Sequence, residues 1–67
     1  MPIIDVSLLT GRSDAELRGM IAAVHDAIVG SLGVQSETVR ILVREVPPDR
    51  WAAGGETIEE RRSRSGR

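Results

Sequence analysis

A chain of 67 residues without a single cysteine has few ways to hold a fold. At that length only a modest share of the unfolded surface can be buried, so an isolated core is marginal and calls for disulfides, a metal, unusually tight packing or other chains. Here there is no disulfide framework and no thiolate zinc site, and the one histidine, His25, cannot cage a metal alone. Association is the remedy left, and the chain is expected to be a single-domain oligomer.

Composition narrows the chemistry. A hydrophobic fraction of 40% and a formal charge of -1 describe an ordinary globular chain, neither disordered nor membrane-spanning. Its nine basic residues are all arginine, which excludes a phosphate-loop lysine and a lysine Schiff base. Trp51 is the sole aromatic, so base-stacking platforms and a nucleic-acid partner are not expected. No cofactor and no metal are expected. The opening Met-Pro-Ile-Ile-Asp-Val lacks a basic start, and Asp5 interrupts its apolar run, which predicts a cytoplasmic protein.

Patterning predicts strand, helix, strand and hairpin. Residues 3 to 9 mix branched apolar residues with Asp5 and Ser7, a strand with one wetter face, and Thr10-Gly11 ends it. Ser13 and Glu16 form a capping box that opens a helix over about residues 14 to 32. Leu17, Met20, Ile21, Val24, Ile28 and Leu32 make its apolar stripe, and Gly33 falls where a left-handed cap belongs. Thr38 to Val46 is rich in branched residues and stops at Pro47-Pro48, a second strand. One helix between two strands implies a parallel pair with a right-handed crossover. Gly54-Gly55 permits a tight hairpin turn. The class is therefore α+β: a βαβ unit with a short C-terminal β-hairpin. Its sheet needs further strands, from residues 51 to 58 or from neighbouring subunits. The domain is expected to occupy residues 1 to 60, with 61 to 67 a flexible arginine-rich tail.

Three positions invite a chemical reading. Pro2 becomes a free secondary amine if Met1 is trimmed, and desolvation with nearby arginines would bring that amine toward neutrality, where a general base works best. Alternatively it is simply the start of a strand, where proline breaks no ladder bond. Arg12 follows the first strand's carboxyl end, where α/β folds tend to place ligands. Arg40, inside the second strand, has a planar fork suited to a carboxylate or an enolate oxygen, or to an ion pair with Glu45, Asp5 or a neighbouring subunit. Trp51 either plugs a subunit interface or walls a site against water.

Taken together, Met-Pro-Ile-Ile, Leu-Leu-Thr-Gly-Arg-Ser-Asp, Ser-Leu-Gly-Val, Thr-Val-Arg-Ile-Leu-Val-Arg-Glu-Val and Arg-Trp-Ala-Ala-Gly-Gly-Glu resemble the 4-oxalocrotonate tautomerase family over about residues 2 to 58. The resemblance implies a βαβ subunit assembled usually as a hexamer of three dimers. It implies a cofactor-independent isomerase in which Pro2, after Met1 removal, moves a proton between the oxygen of a dienol and a carbon of its conjugated chain. Arg12 would hold the distal carboxylate. Arg40, similar to an arginine given by an adjacent subunit, would hold the carboxylate beside the 2-hydroxy or 2-keto oxygen. Trp51 and Leu9 would line the pocket, and the substrate would be a dicarboxylate or 2-hydroxydienoate such as 2-hydroxymuconate. Tryptophan at position 51 resembles a subset linked to secondary metabolism. A noncatalytic assembly subunit or carboxylate binder with the same fold is the alternative.

Overall fold

The computed structural model describes residues 2–64. Strand β1 (Ile3–Leu9) leads through a short turn into helix α1 (Asp14–Leu32), and the chain returns as β2 (Arg40–Val46). A hairpin of two short strands, β3 (Ala52–Ala53) and β4 (Glu56–Thr57), precedes helix α2 (Ile58–Arg64). β1 and β2 pair in parallel from Ile3 opposite Arg40 to Leu9 opposite Val46. β3 and β4 pair antiparallel across Gly54-Gly55, whose φ angles of 63° and 81° suit the two positive-φ positions of a tight hairpin turn.

The first strand and first helix take the bounds expected of them. Ser13 and Glu16 exchange both bonds of the capping box: the Glu16 N–H donates to Ser13 Oγ at 3.1 Å and the Ser13 N–H to Glu16 Oε1 at 2.9 Å. At the other end Gly33 adopts the left-handed conformation and its N–H donates to the Val29 carbonyl. Leu17, Met20, Ile21, Val24 and Ile28 are half-buried as the stripe predicts, but Leu32 is 61% exposed. His25, placed beside the stripe by periodicity, is half-buried too.

Two expectations need correction. Thr38 and Val39 do not belong to the second strand. Residues Ser36–Thr38 form a short 3₁₀ turn instead, because Thr38 donates both its N–H and its hydroxyl to the Gln35 carbonyl, at 3.0 and 2.7 Å. Arg40 is thus the strand's first residue, exposed at its edge rather than enclosed in its middle. The chain also stays regular beyond residue 60, since α2 carries Arg61 to Arg64. A second capping box starts that helix, with the Thr57 N–H donating to Glu60 Oε1 at 2.9 Å and the Glu60 N–H to Thr57 Oγ1 at 3.1 Å. Residues 65 to 67 of the expected tail lie outside the described residues.

Among the described residues none is fully buried. The sheet's helix-facing residues, Ile4, Val6, Leu8, Ile41 and Val43, reach only half-burial, and the opposite face exposes Ile3 by 64% and Leu42 by 49%. Accessible surface is 4876 Å², whereas a compact monomer of 7.3 kDa would show about 4,200 Å². The radius of gyration is 15.7 Å, against about 11 Å for a compact chain of this length. A single chain therefore has only half a core. Among the described residues no helix is long and apolar enough to cross a membrane.

Candidate functional site

The residues singled out by sequence gather at the two ends of β1. At its amino end, the Pro2 carbonyl accepts a hydrogen bond from the Arg40 N–H at 3.0 Å, so parallel pairing sets these two backbones side by side. The Arg40 guanidinium donates through Nη1 to the Glu37 carbonyl at 2.6 Å. That bond steadies the fork and leaves further N–H donors for an acceptor. Neither Asp5 nor Glu45 pairs with it; Asp5 is instead bridged by Arg44 at 2.7 Å on the open sheet face.

At the carboxyl end lies a cleft of about 430 Å³ lined by residues 7 to 12, Trp51 and Arg62. The Thr10 N–H extends the β1–β2 ladder by donating to the Val46 carbonyl at 3.0 Å. Gly11 then turns the chain at φ 131°, a conformation that side-chain-bearing residues rarely adopt, and delivers Arg12 to the rim. Trp51 is half-buried and anchored by its carbonyl, which accepts from the Ile58 N–H at 2.8 Å. Leu9, Arg12 and Trp51 therefore line the same cleft. Arg62 was missed by sequence reasoning. Its signal was the Thr57-x-x-Glu60 capping box, the same pattern that marks α1, which turns an arginine-rich stretch into a helix beside the cleft.

Within one chain the two groups stay apart. The seven residues of β1 at about 3.3 Å each separate them by some 23 Å. A single chain thus carries an imino-acid end with Arg40 and a guanidinium-and-indole end with Arg12, but does not join them.

His25 does something else. Its Nε2 meets Ser36 Oγ at 2.6 Å and its Nδ1 meets Asp26 Oδ1 at 3.0 Å, which fastens α1 to the turn before β2. Asp26 is 82% exposed, unlike the enclosed carboxylate that orients the histidine of a hydrolytic triad. Among the described residues no cluster of three or more His, Cys, Asp or Glu is placed to hold a metal ion.

Comparison with known proteins matches this geometry to one family. The family model for tautomerase enzymes matches residues 2–61. A probable tautomerase of Staphylococcus epidermidis is 38% identical over 55 residues, which span 82% of this chain and 90% of that protein. The crystal structure of TomN, a 4-oxalocrotonate tautomerase homologue in the tomaymycin biosynthetic pathway, is 44% identical and covers 92% of this chain and 95% of its own, with a TM-score of 0.89. A 4-oxalocrotonate tautomerase isozyme from Methylibium petroleiphilum superposes with a TM-score of 0.90 at 35% identity, covering 94% and 98% of the two chains. On sequence and fold together, this chain belongs to the tautomerase family of isomerases.

Proposed function

We propose that the protein is a cofactor-independent keto–enol tautomerase of 2-hydroxydienoates, with 2-hydroxymuconate as a suitable substrate and Pro2, freed by removal of Met1, as the proton carrier. The observation that carries this reading is the division of site residues between the two ends of β1 in a subunit that has only half a core. Assembly that completes the core would also set the Pro2 end of one chain against the Arg12 end of another.

In such a site the unprotonated Pro2 nitrogen takes the proton of the 2-hydroxyl group. The same nitrogen returns it to a carbon of the conjugated chain, C3 for a 1,3-shift or C5 for a 1,5-shift, leaving the 2-oxo isomer. Nothing is lost or gained. Arg40 holds the carboxylate and oxygen at C1 and C2, where negative charge develops in the dienolate. Arg12 binds the distal carboxylate and draws electron density along the chain. Trp51 and Leu9 form the apolar wall that keeps water from the amine and strengthens both charge interactions.

A homo-hexamer is the assembly this reading favours. A structural neighbour from Chloroflexus aurantiacus is a heterohexameric 4-oxalocrotonate tautomerase; the alternative for this chain is a noncatalytic assembly or carboxylate-binding subunit. Intact mass followed by an ultraviolet assay on 2-hydroxymuconate separates them. Protein lacking Met1 should interconvert the dienol and its conjugated ketone. Replacing Pro2, Arg12 or Arg40 by alanine should cut kcat/KM by about 10²-fold or more. Inert Met1-free protein, or three variants as fast as the parent, would refute the assignment.

A further inference from the structure

The Arg40 fork is exposed, and its short bond goes to the Glu37 carbonyl at 2.6 Å; a contact of 3.5 Å to the Val39 carbonyl is too long to add much. Glu37 is the middle residue of the turn Ser36–Thr38, so the fork is only as steady as that turn. The turn's own bonds are local. Thr38 bonds back to the Gln35 carbonyl, and the Val39 N–H donates to the Ser36 carbonyl at 3.2 Å. These bonds set the shape of the turn rather than its place. Among the described residues one side-chain hydrogen bond ties it to α1: Ser36 Oγ meets His25 Nε2 at 2.6 Å across 11 positions of the chain. The bond is well directed. Because the Asp26 carboxylate only accepts, His25 Nδ1 carries the proton, and Nε2 of the neutral ring accepts from the Ser36 hydroxyl. In a charged ring Nε2–H donates to Ser36 Oγ instead, so the link holds in either state.

We propose that His25 is a positioning residue: its bond to Ser36 fixes the turn whose Glu37 carbonyl aims the Arg40 guanidinium at the substrate. This rests on the reading of Arg40 as the group that holds the oxygens at C1 and C2. A loosened fork still finds the full charge of a carboxylate, so substrate binding changes little. The charge that develops on the C2 oxygen is stabilised best by a donor already in place, so the loss falls on turnover.

Steady-state kinetics on 2-hydroxymuconate and nitrogen-15 relaxation at Arg40 Nε test this together. For His25→Ala we expect kcat to fall about tenfold with KM within about twofold of the parent. Ser36→Ala removes the partner from an exposed turn and leaves α1 untouched. It should give the same split, and it decides the matter if His25→Ala fails to assemble. His25→Gln carries a nitrogen at the ε position and should recover most of the loss. In an Arg40→Ala background His25→Ala should change kcat by less than about twofold, because the group it steadies is gone. The same tenfold fall in both backgrounds, or parental kcat in His25→Ala and Ser36→Ala, would overturn the proposal. If the parent does not turn over 2-hydroxymuconate, the tautomerase reading falls on its own. The heteronuclear NOE at Arg40 Nε then decides the role of His25, with a drop in His25→Ala and Ser36→Ala supporting it and parental values overturning it.

Discussion

Two inactive variants of this protein should restore each other. Pro2 and Arg12 flank β1, and its seven residues alone span about 23 Å. An extended arginine side chain reaches about 7 Å, and a six-carbon diacid adds about 8 Å, so one substrate cannot touch both residues of the same chain. On the proposed reading, each working site then takes its proline and its Arg12 from different chains. If Pro2→Ala and Arg12→Ala chains are unfolded, mixed in equal amounts and refolded together, each required residue is intact with a chance of one half. About one quarter of all sites should recover both. The parents alone should retain on the order of 1% of activity or less. The assay is the initial rate on 2-hydroxymuconate for the mixture and for each parent refolded separately, with native mass spectrometry to verify mixed particles. Mixed particles that stay at the parental rate would refute the shared-site argument, because they would mean that both residues act from one chain.

Other consequences are testable separately. Leu42, 49% exposed on the open sheet face and opposite Asp5 in the ladder, should lie in an interface; Leu42→Asp would place a charge there and should produce smaller, less helical species on dilution, seen by sedimentation velocity and circular dichroism. Unchanged sedimentation would show that this face is not covered. The kcat/KM profile should rise with pH as the Pro2 amine loses its proton; a profile flat across neutrality would argue against an amine base. Ser13→Ala removes the acceptor of the Glu16 N–H and should cost about 1 kcal/mol in denaturant unfolding at fixed protein concentration. An unchanged midpoint would mean that the capping box does not hold α1.

Local signals were legible wherever the interacting residues lie close in sequence. Ser13 and Glu16 mark the start of α1 because their side chains bond each other's backbone three residues away, and Gly33 marks its end by its own conformation. The same logic marks α2 at Thr57 and Glu60, yet the arginines and serines that follow carry no apolar stripe, and composition alone suggested a tail. Strand propensity extends β2 two residues too far, because Thr38 and Val39 are good strand formers. The Gln35 carbonyl captures Thr38 first.

The sequence by itself determined that this chain is a βαβ-and-hairpin subunit, too small and too poor in cross-links to stand alone, with Pro2, Arg12, Arg40, Leu9 and Trp51 as its chemically suggestive residues. Only the tertiary structure decided how those residues are grouped. Parallel pairing puts Arg40 beside Pro2 although 38 positions separate them in number, while the length of β1 drives Arg12 to the far end with Trp51 and Arg62. Capping and turn formation depend on neighbours within a few residues, whereas strand direction and helix placement depend on contacts across the whole chain, and those distant contacts decide which charges face a common space.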